Sequence, residues 1–256
     1  MIGAIVGDIV GSVFEWRGTK REDFELFGAG CRFTDDTVLT VATAWAILRG
    51  EDYGVAYKRF GRKWPGAGYG GNFAKWLRSD SMGAYGSWGN GSAMRVSPVA
   101  WAFESVEEVL KEAERSAAVT HDHPEGIKGA QAVAMAVYLA RRGFSKAEIV
   151  AEVGARFEYD LDRRLDEIRP GYGFDSSCAG SVPEAMIAFG ESEGFEDAVR
   201  KAVSLGGDSD TQACMAGAVA EAFYGGVPGE IRAEAERRLD VELGEVVREF
   251  EGRFGG

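Results

Sequence analysis

The chain has 256 residues, 45% of them hydrophobic, which suffices for one sizeable core and excludes an intrinsically disordered protein. Its 29 basic residues face 41 acidic ones, a net charge of -12 that excludes nonspecific attraction to nucleic acid or to an anionic membrane, though not a local basic pocket. The 3 cysteines, Cys31, Cys178 and Cys214, are scattered without CxxC spacing and read as reduced thiols, not as a disulfide framework or a zinc site.

Met1 to Trp16 is an apolar, helix-like segment carrying Gly7-Asp8 and Glu15. It lacks the basic start of a signal peptide, and no apolar run reaches membrane-spanning length without charges, so a cytoplasmic location is expected. Glu15 precedes the irregular stretch Trp16 to Arg32 and has two readings, a solvated acid at a helix end or a group on a flap over a site. Thr37 to Leu48 is apolar nearly all round and stops at Arg49-Gly50. Gly61 to Gly91 reads as one long irregular segment, rich in glycine and carrying Tyr69, Phe73, Trp76, Tyr85 and Trp88; a loop of that length is more often functional than idle. Ser105 to Val119 opens with a capping-box pair, Ser105 and Glu108, and alternates apolar and charged faces at helical spacing. Helical patterns continue over Glu125 to Arg142, Ser145 to Phe157, Pro183 to Phe189, Glu196 to Ser204 and Thr211 to Tyr224, and Glu230 to Phe250 reads as one or two surface helices. Period-two strand patterns, repeats and linkers are all lacking. The expectation is an all-α fold, a single domain over residues 1–256 with close-packed Ala- and Gly-rich central helices, and a monomer.

Two short acidic clusters stand out, Thr34-Asp35-Asp36-Thr37 and Asp208-Ser209-Asp210-Thr211, each just ahead of an apolar helix-like run. One such cluster alone is an ordinary N-cap. Two of matching design go beyond capping, since a cap needs only one side-chain oxygen. Brought together, four carboxylates cannot all stay ionised without cations between them, and oxygen-only ligands select Mg²⁺ or Mn²⁺ before Zn²⁺. The glycine loop Gly86 to Arg95 reads either as a tight connector or as a backbone cradle for an anion or a sugar, with Arg95 as a phosphate partner or a surface residue. Thr120-His121-Asp122-His123-Pro124 holds both histidines of the chain, and without a third zinc ligand nearby they read as substrate hydrogen bonders or structural caps. No GxSxG nucleophile elbow is present.

GDIVGSVFEW, FTDDTVLT, GNGSAMRVSPVA, THDHPEGIKGAQA, SCAGSVPEA and SLGGDSDTQACMAGAVA, in this order from Met1 to about Pro228, resemble the ADP-ribosylglycohydrolase family. The resemblance implies an all-α domain with a binuclear Mg²⁺ or Mn²⁺ centre held by Thr34, Asp35, Asp36, Asp208, Asp210 and Thr211. It further implies a catalytic, gate-like Glu15 beside the metals, with Asp35 and Asp36 as the other candidates for proton handling. Gly89, Asn90, Gly91, Ser92 and His121 would line an ADP-ribose groove, with aromatics of the irregular segment stacking on adenine. The implied activity is metal-dependent hydrolysis of the bond between ADP-ribose and its acceptor, with arginine-, serine-, acetyl- and nucleic-acid-linked acceptors all open. A noncatalytic ADP-ribose-binding protein and a two-metal nucleotide phosphohydrolase are the alternatives, and a lens crystallin group of similar sequence illustrates the first. Asp122, where the family pattern carries a neutral residue, is expected to alter substrate or metal affinity.

Overall fold

Helices alone carry the fold: the computed structural model describes residues 1–255, and no strand occurs among them. The first half contains α1 (Ile2–Gly11), α2 (Asp35–Arg49), α3 (Tyr53–Lys63), α4 (Gly71–Arg78), α5 (Gly91–Met94), α6 (Ser97–Ala102), α7 (Val106–Ala118) and α8 (Pro124–Arg141). The second half contains α9 (Lys146–Phe157), α10 (Leu165–Ile168), α11 (Cys178–Gly190), α12 (Phe195–Ser204), α13 (Ser209–Phe223), α14 (Gly229–Arg237) and α15 (Val241–Phe254). Among the described residues no helix is long and apolar enough to cross a membrane.

The centre of the molecule is the pair α1 and α13, buried on almost every face. Their close approach follows from glycines spaced by four along α1. A Cβ at Gly7 would lie 2.0 Å from the Ala213 carbonyl oxygen, one at Gly3 2.4 Å from that of Gly217, and one at Gly11 2.4 Å from Asp210 Cα. Backbone therefore rests on backbone, a contact that no side chain permits. This contact sets Asp8, on α1, beside the first turn of α13. Around the pair lie α2, α8, α11 and α12, all contributing to one apolar core.

The expected helices are present, with informative shifts. Both acidic clusters reach into their helices: Asp35 and Asp36 occupy the first turn of α2 behind the Thr34 cap, and Asp210 and Thr211 the first turn of α13 behind Asp208. The segment Gly61 to Gly91 is not one irregular loop, because α3 ends inside it and α4 lies within it. Glycine obscured the end of α3: a Cβ at Gly61 would strike Leu77 Cδ2 at 2.5 Å, so that glycine serves helix packing rather than a turn. Asp52, whose side chain accepts from Gly54 N at 2.8 Å, was the visible start signal for α3. Helix α11 begins at Cys178, before Pro183, because Ser177 caps it through Gly180 N at 2.9 Å; Pro183 sits inside the helix and forgoes its own backbone bond there. The C-terminal pattern resolves into two helices, α14 and α15.

Candidate functional site

The two acidic clusters meet. Thr211 Oγ1 donates to Asp36 Oδ2 at 3.3 Å across 175 positions of sequence, and Thr34 Oγ1 lies 3.4 Å from the same oxygen. Two sets of carboxylates approach within 4.8 Å of one another, Asp8 with Asp36 and Asp210, and Glu15 with Asp208 and Asp210. Asp210 is common to both. The partial positive charge at the starts of α2 and α13 favours anions here, which offsets part of the burial penalty.

Asp8, a lone acid inside an apolar glycine-spaced helix, has a role of its own. Its Oδ2 accepts from Thr34 N at 2.9 Å, from Thr37 N at 3.0 Å and from the Thr37 hydroxyl, and its Oδ1 accepts from Thr34 Oγ1 at 2.6 Å. The carboxylate thus caps α2 from another helix. With both oxygens filled by donors, Asp8 is better built to hold Thr34, Asp35 and Asp36 in place than to coordinate an ion.

Burial pushes all these acids up. For Asp35 the rise, from burial first and repulsion by Asp8 second, reaches about 8. Asp36 and Asp210 are driven well above the ordinary carboxylate range, by burial and then by Asp8 and by Asp36 respectively. Asp208 is raised by burial against the opposing bond from Asn90 Nδ2, 2.8 Å from its Oδ2. Glu15 is raised by burial and then by Asp208. It sits in the turn after α1, outside the helix, where it lines the same cavity. Asp36 Oδ1 is buried with no hydrogen-bond partner. Repelling carboxylates, an orphaned buried oxygen and oxygen donors only are the chemistry of a site for hard divalent cations, so these residues fit such ions.

Above the acids opens a cavity of about 700 Å³. Its lining includes Glu15, Thr34, Asp35, Asp36, Asp208, Asp210 and Thr211, then Gly89, Asn90, Gly91 and His121, and the aromatics Tyr69, Phe73, Tyr85 and Trp88. Trp76, expected with them, is buried in the core under Lys58 instead. Of the six exposed large hydrophobic side chains among the described residues, three, Trp16, Trp88 and Phe174, stand at this one cavity. Trp16 and Phe174 stack with centroids 5.5 Å apart. Nothing in the sequence around Phe174 marked it.

The glycine loop is held by backbone. Asn90 N donates to Ser176 O at 2.8 Å, and Cys178 N to Trp88 O at 3.0 Å. A Cβ at Gly126 would meet Ser87 O at 2.6 Å, so α8 must present glycine there. Ser92, expected to line the groove, is turned inward and lies outside the cavity lining: its hydroxyl donates to Gly126 O at 2.6 Å. Arg95 is fully buried and is not a surface residue. The two histidines divide the roles foreseen for them. His123 caps α8, accepting from Glu125 N at 3.1 Å, while buried His121 lines the cavity, kept neutral by burial and by Arg95. Asp122 accepts from Gly86 N at 2.7 Å and ties the glycine loop to the histidine turn.

Fold and pocket together define a class: helical enzymes in which carboxylates from converging helix starts, not a nucleophilic side chain, lie beneath a substrate-sized cavity. The ADP-ribosylglycohydrolase family model matches residues 1–254, and the chain belongs to that family. It is similar to ADP-ribosylhydrolase ARH3 of Mus musculus, 28% identical over 88% of this chain and 82% of that one. It is also similar to ADP-ribosylarginine hydrolase Tri1 of Pseudomonas putida (strain GB-1), 29% identical over 90% of this chain and 71% of that protein. Among solved structures, a chain described as an ADP-ribosylglycohydrolase-related protein complex superposes with a TM-score of 0.72 and 26% identity, covering 97% of this chain and 95% of its own.

Proposed function

We propose that this protein hydrolyses the glycosidic bond between ADP-ribose and its acceptor, releasing ADP-ribose, with two divalent cations, Mg²⁺ or Mn²⁺, held by Thr34, Asp35, Asp36, Asp208, Asp210 and Thr211. The observation that carries the reading is the pair of carboxylate sets sharing Asp210 beneath the cavity, in a chain whose relatives are ADP-ribosylhydrolases. When bound, such ions orient ribose hydroxyls and make a water more acidic.

The protein's own groups do the rest. In the reaction a water oxygen bonds to C1 of the ribose, the bond from C1 to the acceptor breaks with its electrons going to the acceptor atom, and the acceptor takes up a proton. Glu15, half-buried at the cavity and with a raised pKa, is suited to moving that proton. Asp8 fixes the Thr34–Asp36 segment and Asn90 fixes Asp208, so the acids need no reorganisation during turnover. Gly89 and Gly91 let a polar substrate approach backbone closely, and Tyr85 and Trp88 offer faces for a base.

The test is a mass-resolved turnover assay on ADP-ribosylated arginine, serine and nucleic-acid substrates with Mg²⁺, Mn²⁺ or chelator. Metal-dependent release of intact ADP-ribose is expected. Tight ADP-ribose binding without release would make the protein a binding module, and release of AMP would make it a phosphohydrolase.

A further inference from the structure

A chain of buried polar groups runs from the core to the cavity through His121. Arg95, 0% exposed, lies with its guanidinium 4.2 Å from the centre of the Tyr57 ring, and among the described residues its Nε and Nη1 have no hydrogen-bond partner. Its Nη2 donates to Ser116 O at 3.0 Å and to Thr120 Oγ1 at 2.9 Å. Thr120 is 0% exposed too, and its hydroxyl lies 2.7 Å from His121 Nδ1.

The hydrogen count settles the direction of the last bond. A guanidinium only donates, so the Thr120 oxygen accepts from Arg95, and its single proton goes to the remaining partner, Nδ1. With the proton on Nδ1 instead, the Thr120 hydroxyl hydrogen would be left to the Tyr85 phenol oxygen, a contact too poor in geometry to count as a hydrogen bond, so the 2.7 Å bond to Nδ1 is the better use of that hydrogen. The imidazole proton therefore sits on Nε2. That nitrogen lies against the glycine loop, since a Cβ placed on Gly91 would be 3.1 Å from it and one on Gly89 3.8 Å. Burial and Arg95 also keep the ring from taking a second proton.

We propose that Arg95 and Thr120 are positioning residues that lock His121 as its Nε2–H tautomer, presenting the cavity with a neutral, fixed donor for a substrate oxygen beside Gly89 and Gly91. A neutral donor of this kind does not alter the charge of a pocket whose acids must attract cations, and its availability does not change with pH across the working range. The tautomer stands on the hydrogen-bond geometry alone; its consequence for substrate binding rests on the hydrolase reading above.

Side-chain ¹⁵N spectra test the lock directly, because the chain has only 2 histidines and His123→Gln assigns them. Native protein is expected to show His121 protonated at Nε2 and bare at Nδ1, unchanged from mildly acid to mildly alkaline pH. Thr120→Val should give a mixture of tautomers and Thr120→Ser should restore the native signal, with circular dichroism and melting confirming that both variants fold. In steady-state assays Thr120→Val should raise KM about tenfold, the worth of one misdirected hydrogen bond, with kcat within about twofold of native. A proton on Nδ1 in the native protein, or an unchanged tautomer in Thr120→Val, overturns the lock. A shifted tautomer with unchanged KM overturns its role in binding. Absence of turnover on every ADP-ribosyl substrate overturns the hydrolase reading, and the spectra still decide the tautomer.

Discussion

The two sides of the cavity are built on opposite plans. The acid side consists of side chains on the first turns of α2 and α13, buried and cross-held by Asp8, Thr34, Thr37 and Thr211. The opposite side is loop, with Trp88 to Gly91 hung on backbone bonds to Ser176 and Cys178, and with half its aromatics exposed to solvent. Rigid helix starts suit a site whose oxygens must keep fixed mutual distances. A loop with aromatic faces suits a larger, flexible group recognised by shape and stacking. On the proposed function, the first side would carry the chemistry and the second the recognition.

Removing the shared acid should break the first side outright. Asp210→Ala, and likewise Asp35→Ala, is expected to lower kcat/KM by about a thousandfold or more while far-UV circular dichroism stays native, and the metal-dependent rise in melting temperature should vanish for Asp210→Ala. Full metal-dependent activity in either variant would sink the assignment of these acids.

Asp8 tests whether the scaffold matters as much as the ligands. Asp8→Ala strands the donors of Thr34 and Thr37, and should weaken Mn²⁺ affinity by about tenfold to a hundredfold in calorimetry. It should also destabilise the fold by roughly 1–3 kcal/mol for a stranded buried donor. Native Mn²⁺ affinity in a folded Asp8→Ala protein would make its four hydrogen bonds ornamental.

Acidity divides the two sides by pH. The Asp35 carboxyl, ordinarily near 3.8, is raised to about 8 in the folded metal-free protein, so between those values the folded state binds more protons than the unfolded one. Metal-free stability from this group is therefore fullest below the lower value and is lost as pH rises towards the upper one. Bound cations reverse the trend by preferring the ionised form. The melting-temperature gap between metal-loaded and chelated protein should widen steadily from pH 5 to pH 8 by about several degrees. A gap that narrows with pH would show that the acids do not share the cations.

Smaller effects are expected on the loop side. Trp88→Ala should raise KM by about tenfold with little change in kcat, the size of one lost stacking contact. Asp122→Asn keeps an acceptor for Gly86 N, so KM should stay within about twofold of native. A larger change there would mean that the charge of Asp122, rather than its tether, governs affinity.

Both acid clusters were legible in the sequence because capping residues, paired acids and helix starts are local signals. The glycine loop was legible for a similar reason. Asp8 was visible as an anomaly, a charge on an apolar helix, but its partners were not. Ser92 lies outside the cavity lining and of the two readings of Arg95 the surface one fails, since whether a polar side chain beside a cavity faces in or out depends on what stands behind it: Gly126 for Ser92, and Tyr57, Ser116 and Thr120 for Arg95, which is buried and yet lines the cavity. Helix α3 is hidden in the sequence because Gly61 serves packing, and a packing glycine looks in sequence like a turn glycine.

The amino-acid sequence by itself determined the helical class, the starts of the long helices, the family resemblance and the residue types at the site, because each depends on near neighbours in the chain. Tertiary structure alone decided that Asp36 meets Thr211, that Asp8 caps α2, that His121 rather than His123 lines the cavity, and that Phe174 stacks on Trp16 at its mouth. Those pairings join residues far apart in the chain. The meeting of the acids of α2 and α13 around Asp8 rests on the backbone-to-backbone contact of α1 with α13, and no local preference encodes such a contact.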